Sequence, residues 1–177
     1  IKRTREKENE TMTIETFYAE SERFVALFNS FAKKHSLKGR AQVDHICWKC
    51  FSRESFESMR ATFESESDFI YQSIISKRRI AYIRLKKGVE TELGTIYFLE
   101  LSDQKPDGSQ KEGFDHIEVY PITISYDDMI RELETLEAVV KVERPHHTTH
   151  DVDIGEGFLF RCEHEALLGK IKSSEML

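Results

Sequence analysis

The chain has 177 residues, 26 of them Lys or Arg against 32 Asp or Glu, for a net charge of −6. With 33% charged and 39% apolar residues it reads as a globular protein of ordinary single-domain size, not a disordered one. The longest apolar run is the five residues 24–28, far short of a membrane span, and the acidic balance argues against general nucleic-acid binding.

Residues 1–11 (IKRTREKENET) mix both signs of charge and lack the apolar core of a signal peptide. They are expected to be flexible, and Met12 is a candidate start. Three cysteines make no disulfide framework and point to a reducing compartment, so a cytoplasmic location is expected.

Residues 14–36 form one predicted amphipathic helix. Ile14, Phe17, Tyr18, Phe24, Leu27, Phe28 and Phe31 recur at spacings of three and four. Lys33, Lys34 and His35 suit its last turn, and Gly39 closes it. Residues 42–50 alternate as a strand. Ser52 can cap a helix running to about residue 65, with Phe56, Met59 and Phe63 on one side. Three strand-like runs follow, at 68–75, 79–86 and 95–101. Residues 102–112 (SDQKPDGSQKE) read as a loop.

The order then repeats. Residues 113–120 are a strand. Ser125 and Asp128 outline a capping box before a helix carrying Met129, Leu133 and Leu136. Strands follow at 138–143, 147–154 and 158–162, and a last helix holds Leu167, Leu168 and Ile171. The predicted fold is α+β: two tandem β-α-β-β-β modules forming a cupped mixed sheet, with an N-terminal helical extension. As one domain over 12–177, it divides into the extension (12–40), module one (41–102), a linker (103–112), module two (113–164) and a C-terminal helix (165–177).

The repeat also shows in the residues. Val43-Asp44-His45-Ile46 opens one module and Phe114-Asp115-His116-Ile117 opens the other. Each module ends in a strand carrying a glutamate, Phe98-Leu99-Glu100-Leu101 in the first and Phe160-Arg161-Cys162-Glu163 in the second. A carboxylate on an otherwise apolar strand face needs a cation or hydrogen-bond donors. A metal shared by His45, Glu100, His116 and Glu163 satisfies all of them. Two imidazoles and two carboxylates suit Zn, Ni, Mn, Fe or Co, one such divalent ion per chain.

Duplicated β-α-β-β-β units, each opening on a strand histidine and closing on a strand glutamate, resemble the vicinal oxygen chelate superfamily. Within it VDHICWKC (43–50), FLEL (98–101) and EGFDHIEVYP (112–121) look like the YecM-like family. The resemblance covers roughly residues 14–175. It implies that the first and last strands of each module lie side by side, bringing His45 near Glu100 and His116 near Glu163. His164 is the alternative to Glu163 if the strand register slips by one residue. It also implies a metal that holds two adjacent oxygens of a small molecule and stabilises charge developing there. Isomerases, lyases and oxygenases all use this arrangement, so the fold does not select the reaction.

Other residues can serve such a site. Glu118 shares the His116 face and is a candidate general base or alternative ligand. Tyr82 and Arg84 share a face and can bind a substrate carboxylate. His147 and His150 can enter the cup and hold a substrate oxygen. Cys47 and Cys50 form a C-x-x-C that suggests a second zinc or redox site with Cys162 and His164, but on a strand their sulfurs face opposite ways. The expected protein is a metalloenzyme of isomerase, lyase or dioxygenase type acting on a small oxygenated metabolite, as a monomer or homodimer. No nucleic-acid or membrane partner is expected. The competing expectation is a non-catalytic binding module that keeps the same cup.

Overall fold

The computed structural model describes residues 12–67, 70–75, 78–104, 111–144 and 147–166. The expectations for residues 1–11 and for a C-terminal helix through Leu167, Leu168 and Ile171 lie outside them. Helix α1 spans Ile14–Lys34 and is followed by β1 (Ala41–Lys49), α2 (Arg53–Glu64), β2 (Ile70–Ile75), β3 (Arg78–Thr91) and β4 (Gly94–Ser102). The second module follows as β5 (Gly113–Pro121), α3 (Tyr126–Glu134), β6 (Val140–Glu143), β7 (Thr148–Asp153) and β8 (Leu159–Cys162). Both modules therefore read β-α-β-β-β, as the repeat predicts.

Local chemistry explains where the helices begin. A side-chain oxygen caps each one, satisfying a backbone N–H that has no partner within the helix. Thr13 Oγ1 accepts from Thr16 N at 3.1 Å, Ser52 Oγ from Ser55 N at 3.0 Å, and Ser125 Oγ from Asp128 N at 3.1 Å. Asp128 turns to Arg131 and does not complete the capping box.

Three ends differ from the sequence reading. Helix α1 stops at Lys34, and Ser36 takes a left-handed conformation (φ 50°) before Gly39 does (φ 80°). Leu136 falls beyond the end of α3 and is 65% exposed. Strand β3 continues to Thr91, through Lys86-Lys87-Gly88, because pairing with β4 resumes at Val89 after a break in register.

The eight strands form one sheet in the order β2-β3-β4-β1-β5-β8-β7-β6. Within each module the first and last strands are parallel neighbours, β1 with β4 and β5 with β8. The modules join where β1 and β5 run antiparallel. Helices cover one face, over Ile46, Trp48, Leu99, Leu101, Ile117, Val119 and Phe160.

Helix α1 bridges both modules on that face. Phe17 meets Phe63 of α2 and Phe114 of β5, with ring centroids 4.9 and 5.2 Å away. Further along α1, Phe24 lies 4.7 Å from Phe158, and Phe31 lies 4.6 Å from Phe160. Buried aromatic surface of this kind is the main attraction holding the helix to the sheet. No helix among the described residues is long and apolar enough to cross a membrane.

These contacts predict an uneven response to truncation. Phe28 is fully buried and stacked on Phe160, so Phe28→Ala should lower the unfolding free energy by about 3–5 kcal/mol in urea titrations. Leu136→Ala, at an exposed position, should stay within about 0.5 kcal/mol of wild type.

Candidate metal centre

The β1–β5 pairing is interrupted twice, and both interruptions fall on the repeated Asp-His. Val43 pairs with Val119 and His45 with Glu118, so Asp44 is the extra residue on β1. Cys47 pairs with His116 and Trp48 with Phe114, so Asp115 is the extra residue on β5. A bulge of this kind re-aims the side chain beside it. Here Val43 and Ile46 pack towards the helices with Phe114, Ile117 and Val119, while His45 and His116 turn to the opposite face.

Each bulged aspartate then binds the histidine that follows it. Asp44 Oδ2 lies 2.6 Å from His45 Nδ1, and Asp115 Oδ2 lies 2.7 Å from His116 Nδ1. With Nδ1 engaged, both Nε2 atoms are left for the centre of the sheet. His45 Nε2 lies 2.9 Å from Glu100 Oε2 and 3.2 Å from Glu118 Oε2. His116 Nε2 lies 3.6 Å from the same Glu100 oxygen and 3.9 Å from the same Glu118 oxygen. Ser102 Oγ donates to the other Glu100 oxygen at 3.1 Å. One ligand atom each from His45, Glu100, His116 and Glu118 lies within 4.8 Å of the other three.

The centre is buried. His45 and His116 are each 1% exposed and Glu100 9%. For His45, Glu100 and Glu118 burial opposes charge, but the mutual attraction outweighs it. For His45 burial is overcome by Glu118, Asp44 and Glu100, which hold the imidazole well above its usual pKa. Burial would raise Glu100, but hydrogen bonds from His116 and His45 hold it well below the ordinary carboxylate range. Loss of water would raise the partly buried Glu118, but it is brought down to about 2, chiefly by His45. Four carboxylates around two imidazoles leave an excess of negative charge. Lys49, 4.0 Å from Asp115, offsets part of it, and a proton on an imidazole or a metal ion on the Nε2 atoms would offset more.

The donor set fits a divalent transition metal. Two imidazole nitrogens and two carboxylates are the ligand types such ions take. The Asp-His pairs supply the carboxylate partner that a metal-bound imidazole ordinarily has on its other nitrogen.

Module two departs from the expected symmetry. Glu100 stands on β4 two residues beyond Phe98, the partner of His45. On β8 the partner of His116 is Leu159, and two residues beyond it stands Arg161. Arg161 thus holds the place in module two that Glu100 holds in module one. Its guanidinium binds Asp151 of β7 by two hydrogen bonds, at 2.9 and 3.1 Å, and its Nη1 lies 3.2 and 3.3 Å from the two nitrogens of His116. That near-equal reach is the geometry of a cation over the ring face.

Glu163 comes two residues later and is not among the four clustered residues. Its carboxylate lies 3.6 Å from His147 Nε2 and 3.6 Å from His164 Nδ1. His164, its register alternative, stacks on Tyr126 of α3 with ring centroids 3.7 Å apart. The structure therefore gathers His45, Glu100 and His116, with Glu118 as the fourth member in place of Glu163.

The substrate-binding candidates divide. Tyr82 faces the centre, with its ring 6.0 Å from that of His45; burial first and then Glu100 push its phenol well above its usual pKa. Arg84 pairs with Phe98 and lies over its ring at 5.6 Å, one register step further out. His147 lies by Glu163. His150 is on the other side of the sheet, where its Nδ1 meets the Tyr126 hydroxyl of α3 at 2.7 Å, so it does not enter this face. The alternating strand that gives His150 the face of Val152 is the reason.

All three cysteines are buried, and none is in a disulfide. Cys47 has the centre's face with His45, whereas Cys162 lies in the core under the helices. The suggested site from Cys47, Cys50, Cys162 and His164 does not form among the described residues. Burial pushes the Cys50 thiol up to about 12, which leaves it unreactive at neutral pH.

Sequence reasoning missed Asp44, Asp115, Arg161 and Asp151. The two aspartates were legible, since the repeated triplet contains the Asp as well as the His.

The sheet order and paired parallel strands are those of the vicinal oxygen chelate, or glyoxalase-like, fold. Among solved structures the chain is similar to a structural-genomics protein, EC4020, with a TM-score of 0.68 and 19% identity over 92% of this chain and 94% of that one. More distant likenesses include methylmalonyl-CoA epimerase in complex with methylmalonyl-CoA and NH4+ (TM-score 0.47, 17% identity, 72% of this chain and 96% of that one). Another is a Streptomyces coelicolor methylmalonyl-CoA epimerase in complex with 2-nitronate-propionyl-CoA (TM-score 0.44, 18% identity, 68% and 94%). The comparison with curated proteins gives no match. The family model described as YecM protein matches residues 13–157, a span that holds both Asp-His bulges and all four clustered residues. On that match the chain belongs to the YecM family.

Proposed function

We propose that this protein is a metal-dependent enzyme of the vicinal oxygen chelate type, with His45, Glu100, His116 and Glu118 holding one divalent transition metal. The observation that carries this reading is the pair of bulged aspartates. Each uses the Nδ1 of its histidine, so that both Nε2 atoms converge on the same two carboxylate oxygens. A surface ion pair has no need of such an arrangement, and a buried one would be costly. The metal could be Zn, Ni, Mn, Fe or Co.

When bound, the ion would supply Lewis-acid stabilisation of charge developing on adjacent oxygens of a small oxygenated metabolite. The chain's own residues do the rest. Asp44 and Asp115 hold the imidazole tautomer and ring orientation. Ser102 fixes the Glu100 carboxylate. Glu118 completes the donor set from the His116 face, and His45, which holds its carboxyl down at about 2, keeps it charged for that role. Tyr82 closes the module-one side with a phenol that stays protonated. The reaction is of isomerase, lyase or dioxygenase type on this reading. Three buried cysteines outside any disulfide support a reducing compartment, the cytoplasm, as its place of work.

Metal analysis of the purified protein tests the centre. The expected content is about one transition metal per chain, lost in a folded His45→Ala, His116→Ala double variant. Protein that carries no metal, and whose melting temperature ignores both EDTA and added Mn, Ni or Zn, contradicts the reading. The two glutamates give a sharper comparison. Glu118→Ala should weaken metal binding strongly, whereas Glu163→Ala should leave the metal content unchanged. Replacing the orienting carboxylate, in Asp115→Asn, should lower metal affinity by roughly 10–100-fold with all four ligands retained, as read by competition with a chelating dye.

A further inference from the structure

The side of the centre formed by module two is lined by arginine. Asp151 neutralises Arg161, as described above. Arg144 is different. It follows β6, and its backbone N–H closes the turn into β7 by donating to His147 O at 2.9 Å. Its guanidinium reaches back to donate to the Thr149 hydroxyl. Thr149 is 1% exposed and stands two residues before Asp151, on the face of the sheet that carries the centre. Among the described residues Arg144 has no carboxylate within ion-pair distance.

Its surroundings are those of a cation short of an anion. Burial, and then the neighbouring charge of Arg161, hold its pKa below the usual arginine value. Asp151, Glu118 and Glu100 oppose this, so the side chain feels the charges of the centre without being paired to any of them. One of its five N–H groups is spent on Thr149, and the others can still meet a carboxylate edge-on.

We propose that Arg144 binds the carboxylate of the substrate, a small oxygenated monocarboxylic acid. A second oxygen of that acid would reach the centre, a part of the proposal that rests on the metal-centre reading. The recognition of the carboxylate does not. A single available guanidinium matches one negative charge. A phosphate dianion would call for a second free cation, and Arg161 is already committed to Asp151.

Lactate and its neutral analogue lactamide, titrated calorimetrically into the full chain with and without Mn, separate charge recognition from metal chelation. Wild type should bind lactate at least about tenfold more tightly than lactamide. Arg144→Gln should bring the two within about twofold of each other, and Arg144→Lys should keep an intermediate preference. Arg131→Gln, on the exposed side of α3, should leave the preference at its wild-type value. Equal binding of the two ligands by wild type, absence of lactate binding, or an undiminished preference in Arg144→Gln overturns the proposal. If Arg144→Gln does not fold, the size of the preference in Arg144→Lys decides. Metal content is measured in the same samples. A metal-free wild type that still prefers lactate would sink the metal centre and keep the Arg144 site.

Discussion

The antiparallel seam between β1 and β5 governs the rest of the molecule. Among the described residues it is where the strands of the two modules share backbone hydrogen bonds, and it is also where the two histidines meet. A regular ladder there would have set successive side chains on strictly alternating faces. The two bulges break the alternation at Asp44 and Asp115, letting Val43 and Phe114 face the helices while their near neighbours His45 and His116 face the other way. The same irregularity thus serves packing on one side and charge on the other. The aspartate that each bulge displaces becomes the partner that orients its histidine.

Burial makes that arrangement demanding. Imidazoles buried to 1% exposure cannot rely on water to offset their charge, so each must be matched by a neighbouring group. In module one the matching is done by Glu100, which Ser102 steadies. In module two it is done by an arginine held by an aspartate. A pseudo-symmetric scaffold has therefore acquired a chemically asymmetric site, with Arg161 standing in module two where Glu100 stands in module one. That polarity would orient a small charged molecule between the halves. Helix α1, spanning both modules with its phenylalanines, holds the seam from the opposite face.

Much of the fold was legible because its signals are local. Helical spacing of Phe17, Phe24, Phe28 and Phe31, caps at Ser52 and Ser125, and alternation in the strands all act over a few residues. The repeated Asp-His-Ile marked the two equivalent strands without any structure. His45, Glu100 and His116 followed from that repeat. The fourth position did not, because the last strand of module two offers Arg161 and Glu163 with the same alternation, and only pairing with β5 chooses between them. The placement of His150 had a similar origin: alternation grouped it with Val152, but which face meets α3 is a long-range matter.

By itself, then, the order of residues determined the elements, their duplication and the two histidines, since propensity, capping and periodicity depend on near neighbours. Only the tertiary structure decided the strand register, the clustering of Glu118 with the two histidines and Glu100, and the approach of Arg161 to His116. Those depend on which backbone groups pair across the sheet. His116 and Arg161 are 45 positions apart, and no local preference fixes that distance in space.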